Sequence, residues 1–164
     1  MNIFVLDESP RIAAEYHCDK HVVKMLLESA QILSDAHRFY DPRTTLAIYQ
    51  SYNWRNHPCC KWARANGSNY KWLWELATEL GNEFEMRYGK AHASTTLVKG
   101  PLRKLPKTLH LETPRTPFVQ CVPEVYQRPN PVRAYRAYYV GDKLRFAKWQ
   151  RGRPEPYWLK EAQP

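Results

Sequence analysis

Four side chains with acid-base chemistry recur at helical spacing near the start of the chain. His17, His21, Lys24 and Glu28 are separated by four, three and four residues, so in a helix they share one face. Two imidazoles, an ammonium group and a carboxylate in one row can bind a phosphate, transfer a proton or hold a metal ion. We therefore assign these four residues as the candidate catalytic set.

Three interpretations of this helical face remain open. A metal site would use the two histidines at i and i+4, completed by other residues: His57, Cys59, Cys60 or Glu28. No glutamate follows His17 directly and no second pair has ligand spacing, so we assign no metal ligand and expect no cofactor. In a phosphate-binding or base-handling site, Glu28 orients a histidine or acts as a base. In an ordinary amphipathic helix, Lys24 and Glu28 form an ion pair worth a few tenths of a kcal/mol.

Two further clusters have the residue types of a substrate-binding site. The first is the turn Trp54, Arg55, Asn56 and His57, where amide and imidazole groups can read a base edge beside a stacking indole. The same turn can equally cap the next helix. The second cluster is Arg87, Lys90 and His92, which can bind phosphate or complement a helix dipole.

Near the carboxyl end, basic residues alternate with aromatic ones. Some aromatic side chains there, including Tyr135 and Tyr139, lie near one helical face and are expected in the core. The basic set is assigned to nucleic-acid backbone contacts and comprises Arg133, Arg136, Lys143, Arg145 and Lys148. The alternative is a solvated cationic face.

The elements that must position these groups are predicted to be mostly α-helical. We expect a single-domain helical bundle over residues 1–164, with a helical core at 1–98 and a short extended arm at residues 3–6. Ser9 and Pro10 mark the start of a first helix that runs to about Arg38, with a bend near Cys18. A short second helix is predicted from Thr44 to Tyr52.

The second half of the chain is predicted to be less regular. Ser68 caps a helix over residues 69–88, which ends at Gly89. Seven of the 13 prolines fall between residues 99 and 131, so we predict an ordered but irregular segment there, called the strap. A basic helix at 132–149 and a tail at 150–164 complete the expected organisation.

Charge and composition favour a nucleic-acid partner. Residues 1–88 hold 10 lysines and arginines against 11 acidic residues, whereas residues 89–164 hold 15 against 5. A basic field of this size favours DNA, the partner we consider first, or a nucleotide. We expect no membrane association and a cytoplasmic location, because no long apolar run is present and the four cysteines form no disulfide-like pattern.

The sequence resembles two families. Five stretches resemble small proteins from tailed-phage genomes, which would place the protein in the host cytoplasm: YHCDKHVVKMLLE, NHP, NYKWLWEL, RYGKAH and AYRAYYVGDKLRFAKW. This resemblance implies no particular activity. Over residues 1–90 the layout also resembles the pyrimidine-dimer DNA glycosylase/AP lyase family of small basic all-α proteins. The shared features are an apolar arm, a long first helix, the YNWRNHP segment and a helix running into RYGK.

The second resemblance implies a mechanism. In that family a free α-amine is the nucleophile and a glutamate on the first helix assists it, so the resemblance implies Glu28 as the carboxylate. Asn2 is too large for routine removal of the preceding methionine, and the amine would then belong to Met1. A hydrolytic mechanism, with Glu28 or a histidine activating water, needs no amine.

We therefore predict an enzyme that acts on DNA or a nucleotide at the base or its glycosidic bond. The competing hypothesis is a non-catalytic phage protein that sequesters a nucleotide or nucleic acid or blocks a host protein.

Overall fold

The computed structural model describes residues 1–50 and 53–161 and confirms a mostly α-helical single domain. Within those ranges there are no strands. The α-helices are α1 (Pro10–Tyr16), α2 (Asp19–Tyr40), α3 (Pro58–Ala63), α4 (Gly67–Tyr88), α5 (Ala93–Lys99), α6 (Pro131–Tyr138) and α7 (Trp158–Glu161). A π-helical turn, Tyr139–Lys143, continues α6.

The amino-terminal arm is non-helical, and its apolar residues Ile3 to Leu6 are buried. The long first helix of the prediction is divided at the place where a bend was expected. His17 and Cys18 have extended backbone angles, with ψ of 132° and 161°, so α1 ends and α2 begins there. The Arg87 guanidinium, which donates to the carbonyl oxygens of Glu15 and His17, satisfies backbone groups at this break.

Helices α2 and α4 form the centre of the molecule, and α1 packs on α4. The buried face of α4 includes Leu73, Leu76, Ala77, Leu80 and Phe84, as its apolar spacing predicts. Its end at Gly89 is confirmed, since this glycine adopts the left-handed conformation with φ of 66°.

The start of α4 differs from the prediction by two residues. The N-cap is Asn66, whose side chain accepts from the Asn69 N–H at 2.8 Å. Ser68 instead donates to the Thr113 carbonyl oxygen in the strap. A Cβ at Gly67 would collide with the His110 carbonyl group, so this glycine permits close approach of the strap.

The short helix predicted from Thr44 onward is wrong for the described part of that segment. Residues 44–50 are non-helical, and Ser51 and Tyr52 lie outside the described residues. The Arg38 side chain donates to the carbonyl oxygens of Ile48 and Tyr49, at 3.1 and 2.8 Å, so a side chain of α2 holds this segment in place of helical hydrogen bonds.

The strap is ordered and irregular, as predicted. Its only regular elements are two short 3₁₀ turns, Pro101–Arg103 and Glu124–Tyr126, together with the adjoining ends of α5 and α6. Four of its apolar residues are buried against the helices: Leu102, Leu109, Phe118 and Val122. Two other apolar residues of the strap are less well covered, since Leu111 is exposed and Leu105 is half-buried.

The carboxyl-terminal region differs from the prediction in two ways. The last long helix ends at Tyr138 rather than near Trp149, because the chain changes to a π-helical turn where Tyr126 packs directly against Gly141. The expected tail contains α7, which buries Trp158 and Leu159. In the described ranges, none of the helices is both long enough and apolar enough to cross a bilayer.

Candidate active site at the amino terminus

Glu28 lies beside the start of the chain. The residue is 9% exposed, and its Oε2 accepts the backbone N–H of Asn2 at 2.8 Å. The amino nitrogen of Met1 lies 3.9 Å from the same oxygen. Lys24, one turn earlier on α2, approaches Oε1 at 3.7 Å with a largely exposed side chain. The helix therefore presents a carboxylate to an α-amine that comes from a different part of the chain.

The Asn2 side chain fixes the arm in this position. Its Nδ2 donates to the Cys121 carbonyl oxygen at 2.8 Å, and its Oδ1 accepts from the Tyr135 hydroxyl at 2.9 Å. Leu6, four residues after Asn2, is held as well, because its carbonyl oxygen accepts from the Arg136 guanidinium at 2.9 Å. The strap and α6 thus hold the arm against α2, so the position of the amine depends on both halves of the chain.

His57 is the third functional group of this site. It is the N-cap of α3, where its Nδ1 accepts from the Cys59 N–H at 3.2 Å. Burial lowers the pKa of His57, the amino-terminal charge lowers it further, and the Glu28 charge raises it. The charges of the amino terminus and of Glu28 both act on His57, and the lowered pKa favours a neutral imidazole near pH 7. Met1, Asn2, Lys24, Glu28 and His57 are called the amino-terminal site below.

Two cysteines adjoin the amino-terminal site. The Cys59 thiol donates to Cys121 Sγ at 3.4 Å, and this hydrogen bond raises the pKa of Cys59 and lowers that of Cys121. The Met1 side chain packs against Cys60, with Sδ and Sγ 3.8 Å apart.

This arrangement is suited to covalent chemistry at a carbonyl-like carbon. α-Amino groups are weaker bases than the side-chain amino groups of lysine, so a larger share of them is neutral and nucleophilic near pH 7. Amines form imines with such carbons, and a nearby carboxylate can accept or return the proton.

The structure places His17 and His21 elsewhere. His17 is fully buried, and its Nδ1 donates to the Ala13 carbonyl oxygen at 2.6 Å. The Tyr139 hydroxyl accepts from the Cys18 N–H and donates to His21 Nδ1 at 2.7 Å. Burial is the main cause that lowers the pKa of His17 to about 4 and of His21 to about 3. Both are neutral core residues at physiological pH, and their rings do not line an open anion pocket.

Arg87 also has a structural environment. Its guanidinium is fully buried and pairs with Glu83 Oε2 at 2.9 Å and Asp19 Oδ1 at 3.1 Å, besides its two carbonyl acceptors. Lys90 is exposed, whereas His92 caps α5 by accepting from the Ser94 N–H at 3.0 Å. Because the Arg87 N–H groups donate to acceptors inside the protein, Arg87, Lys90 and His92 do not form a common phosphate clamp.

Some residues of the turn before α3 pack against the protein, and others are exposed to solvent. Arg55 lies 3.8 Å from the buried carboxylate of Asp35, and Trp54 is half-buried against the core. Asn56 is exposed directly before His57, at the edge of the amino-terminal site. Of the four residues predicted to read a base, Asn56 is exposed and the other three are half-buried.

The predicted backbone-binding set is also divided. Arg133, Arg145 and Lys148 are exposed. Arg136 pairs with Asp7 at 3.1 Å, and Lys143 pairs with Asp142 at 2.7 Å. Three members are therefore accessible to solvent, while Arg136 supports the arm.

Sequence reasoning missed Asn2, Cys121 and Tyr135 as supports of the site. Tyr135 was expected in the core, and it is fully buried, but its hydroxyl reaches the arm 133 residues away. No local spacing signals a contact of that range.

A protein-family model for pyrimidine dimer DNA glycosylases matches residues 1–97, more than half of the chain. The chain belongs to this family. The resemblance to pyrimidine-dimer DNA glycosylases is thereby confirmed, whereas the tailed-phage resemblance stays a prediction; the family is one of DNA glycosylases, for which the substrate polymer is DNA. No curated protein and no solved structure matches the chain. The matched residues include Met1, Lys24, Glu28 and His57 but not Cys121 or Tyr135.

Proposed function

We propose that this protein is a DNA glycosylase that acts on a pyrimidine lesion through its amino-terminal amine. The observation that carries the proposal is the approach of the Met1 nitrogen to Glu28 Oε2 at 3.9 Å, with the Asn2 N–H on the same oxygen. If Met1 were removed, the new amine would be Asn2 N, which is already 2.8 Å from that oxygen. Either chain start therefore supplies an amine beside the same carboxylate.

In the proposed reaction the neutral amine attacks C1′ of the damaged nucleotide. The glycosidic bond breaks, the base leaves with the bonding electrons and takes up a proton from solvent, and Glu28 accepts the proton that the amine loses. Glu28 then returns that proton to O4′ as the C1′–O4′ bond breaks, which opens the sugar ring and leaves an imine between the amine nitrogen and C1′. The resulting imine permits loss of a C2′ proton and departure of the 3′ phosphate, which is the lyase step. Water then adds to the imine carbon and releases the amine.

The groups around the amine are suited to binding a displaced nucleotide. Enzymes that act on a base must take it out of the duplex stack. Asn56 and His57 would contact the base edge, and Arg133, Arg145 and Lys148 would neutralise backbone phosphates.

Borohydride trapping tests this proposal directly. The protein is incubated with a duplex that contains a cyclobutane pyrimidine dimer or an abasic site, and borohydride is added. We expect a covalent protein–DNA adduct at an amino-terminal peptide, identified by mass spectrometry, which also establishes the first residue. Base release without an adduct would favour the hydrolytic mechanism, and neither adduct nor release would favour a binding protein.

A pair of tagged proteins gives a matched control. An uncleaved extension before Met1 converts the amine to an amide and should abolish trapping, whereas the same extension after Pro164 should not. Unfolding midpoints measured for both proteins separate loss of the nucleophile from loss of the fold. Equal trapping by both proteins would contradict an amino-terminal nucleophile.

A further inference from the structure

Three potential metal ligands converge at the edge of the amino-terminal site. A ring nitrogen of His57 and the sulfur atoms of Cys59 and Cys121 all lie within 4.8 Å of one another. His57 and Cys59 come from the start of α3, whereas Cys121 comes from the strap, 62 residues after Cys59. The cluster is therefore made by tertiary contact between two segments.

The donor set is chemically specific. Two thiolates and an imidazole are ligands that Zn²⁺ prefers, and Zn–S and Zn–N bonds of about 2.3 and 2.0–2.1 Å can be formed by atoms at these separations after small shifts. Cysteines also occur in cores simply as small apolar residues. Cys18 illustrates that case, since it is fully buried beneath Tyr139 and belongs to no group of three potential metal ligands among the described residues.

The burial of the three ligands is graded. Cys59 is fully buried, while His57 and Cys121 are half-exposed. An ion can therefore enter from the solvent side, and a water molecule can occupy the position that three protein ligands leave open.

We propose that His57, Cys59 and Cys121 form a binding site for one zinc ion. The zinc site requires neither the amine nor Glu28, but it shares His57 with the glycosylase proposal, so the imidazole would hold the ion rather than contact the base edge when zinc is bound. Its ion links the strap to α3 at the place where Asn2 Nδ2 donates to the Cys121 carbonyl oxygen at 2.8 Å. Zinc binding would thus stabilise the segment that holds the amino-terminal arm.

Metal analysis and cobalt substitution test the zinc site on the full chain. Protein produced with zinc and purified under reducing conditions without chelator should contain about one zinc per chain. Replacement by Co²⁺ should give visible bands of tetrahedral cobalt and a thiolate-to-cobalt charge-transfer band. Zinc should also protect Cys121 from alkylation in the wild-type protein, a readout that needs no variant.

Substitution of single cysteines shows which thiols are ligands. Cys121→Ser and Cys59→Ser should each weaken zinc binding by at least about tenfold in competition with a chromophoric chelator. Cys60→Ala is the matched control, because Cys60 is also buried beside Met1 but lies outside the cluster. It should keep the metal and the charge-transfer band.

Several results would overturn the zinc site. One is the absence of both bound zinc and the cobalt charge-transfer band in reduced wild-type protein. Another is a Cys59–Cys121 disulfide in the isolated protein that, once reduced, still binds no zinc. Zinc retained by both serine variants but lost by Cys60→Ala would also contradict the assignment. If Cys59→Ser does not fold, the alkylation result on the wild-type protein decides.

Discussion

The row of polar side chains from His17, just before α2, to Glu28 on α2 divides into two parts with different environments. His17 and His21 lie among aromatic rings: the His21 ring contacts Phe4 of the arm at a centroid distance of 4.7 Å and Tyr139 and Phe146 at 5.1 and 5.4 Å, and the His17 ring lies 6.4 Å from Phe4. Glu28, two turns after His21, meets the backbone nitrogens of Met1 and Asn2, and Lys24 approaches its carboxylate. The same spacing thus gives a buried neutral pair at one end and a charged site at the other.

The difference shows that the covering element determines what a side chain can do. An imidazole under Tyr139 loses water and remains neutral, so it contributes to packing. The Glu28 carboxylate at a similar depth has an α-amine, an amide N–H and a lysine as neighbours. Variants of residues in and around this row test whether the covering element determines the role of each side chain.

Glu28→Gln should have the largest effect on function. It removes the proton acceptor but retains the shape and an oxygen for the Asn2 N–H, so turnover on lesion DNA should fall by about 10²–10⁴-fold. Single-turnover kinetics and a binding assay on the same duplex measure this change, and affinity should be nearly retained. Glu85→Gln, on the exposed face of α4, is the matched control. Normal turnover in Glu28→Gln would remove Glu28 from the mechanism.

Arg87→Met should have the largest effect on stability. The variant leaves Asp19 and Glu83 without their buried partner, and breaking such a pair costs about 3–5 kcal/mol. Denaturant unfolding measures the loss. Arg11→Met, which removes an exposed pair with Glu15, should cost less than about 0.5 kcal/mol. A small loss in Arg87→Met accompanied by weaker DNA binding would restore Arg87 to a phosphate-binding role.

The buried histidines should make stability depend on pH. Burial depresses their pKa values to about 4 and 3, so between pH 6.5 and 5 the unfolded chain takes up protons that the folded protein does not. Stability is therefore complete above about pH 6.5 and falls with acidification, by about 2 kcal/mol per histidine at pH 5.

Urea unfolding at several pH values measures this slope. In the His21→Phe variant the slope should decrease by about one proton, whatever the absolute stability. The residues that also contribute in this window are His37, His57 and His92, whose pKa values are lowered by burial. An unchanged slope in His21→Phe would mean that His21 titrates normally and is accessible.

Arg145 and Lys148 test the outer face of the segment that covers His21. Each glutamine variant should weaken DNA binding at all sequences and reduce the salt slope by about one if its side chain neutralises a phosphate. Titrations at several salt concentrations measure both effects. Lys104→Gln, an exposed lysine in the strap, provides a comparison of equal charge change. Slopes equal to that of the wild type would leave these two residues as a solvated face.

Lys24→Gln should have the smallest effect. Its side chain is 67% exposed, and its pair with Glu28 at 3.7 Å contributes no more than about 0.5 kcal/mol. Turnover should change by less than about threefold. A loss as large as that of Glu28→Gln would make Lys24 a catalytic residue and extend the active part of the row toward the histidines.

Much of the fold follows from local sequence. Pro10, the apolar face of α4 and Gly89 signal their elements through constraints within a few residues, and proline density marks the strap. The segment at 44–50 and the end of α6 could not be predicted in this way. Arg38 holds the first from a distance, and packing of Tyr126 on Gly141 changes the second.

The candidate site was predicted only in part. Glu28 and His57 were identified from residue type, but which polar residues reach solvent depends on what covers them. Arg87 resembles a phosphate ligand in sequence and becomes a buried support, because α1 ends above it and offers two carbonyl groups.

The sequence alone indicates a basic helical protein, the helical face that carries Glu28, and the resemblance to the glycosylase family. Helical periodicity, composition and short motifs are local properties, so they can be read without a structure. Only the tertiary structure decided that the Met1 amine meets Glu28 and that Cys121 meets His57 and Cys59. Those contacts join residues 27 to 64 positions apart, and they form because packing of the arm and strap on the helices buries apolar surface.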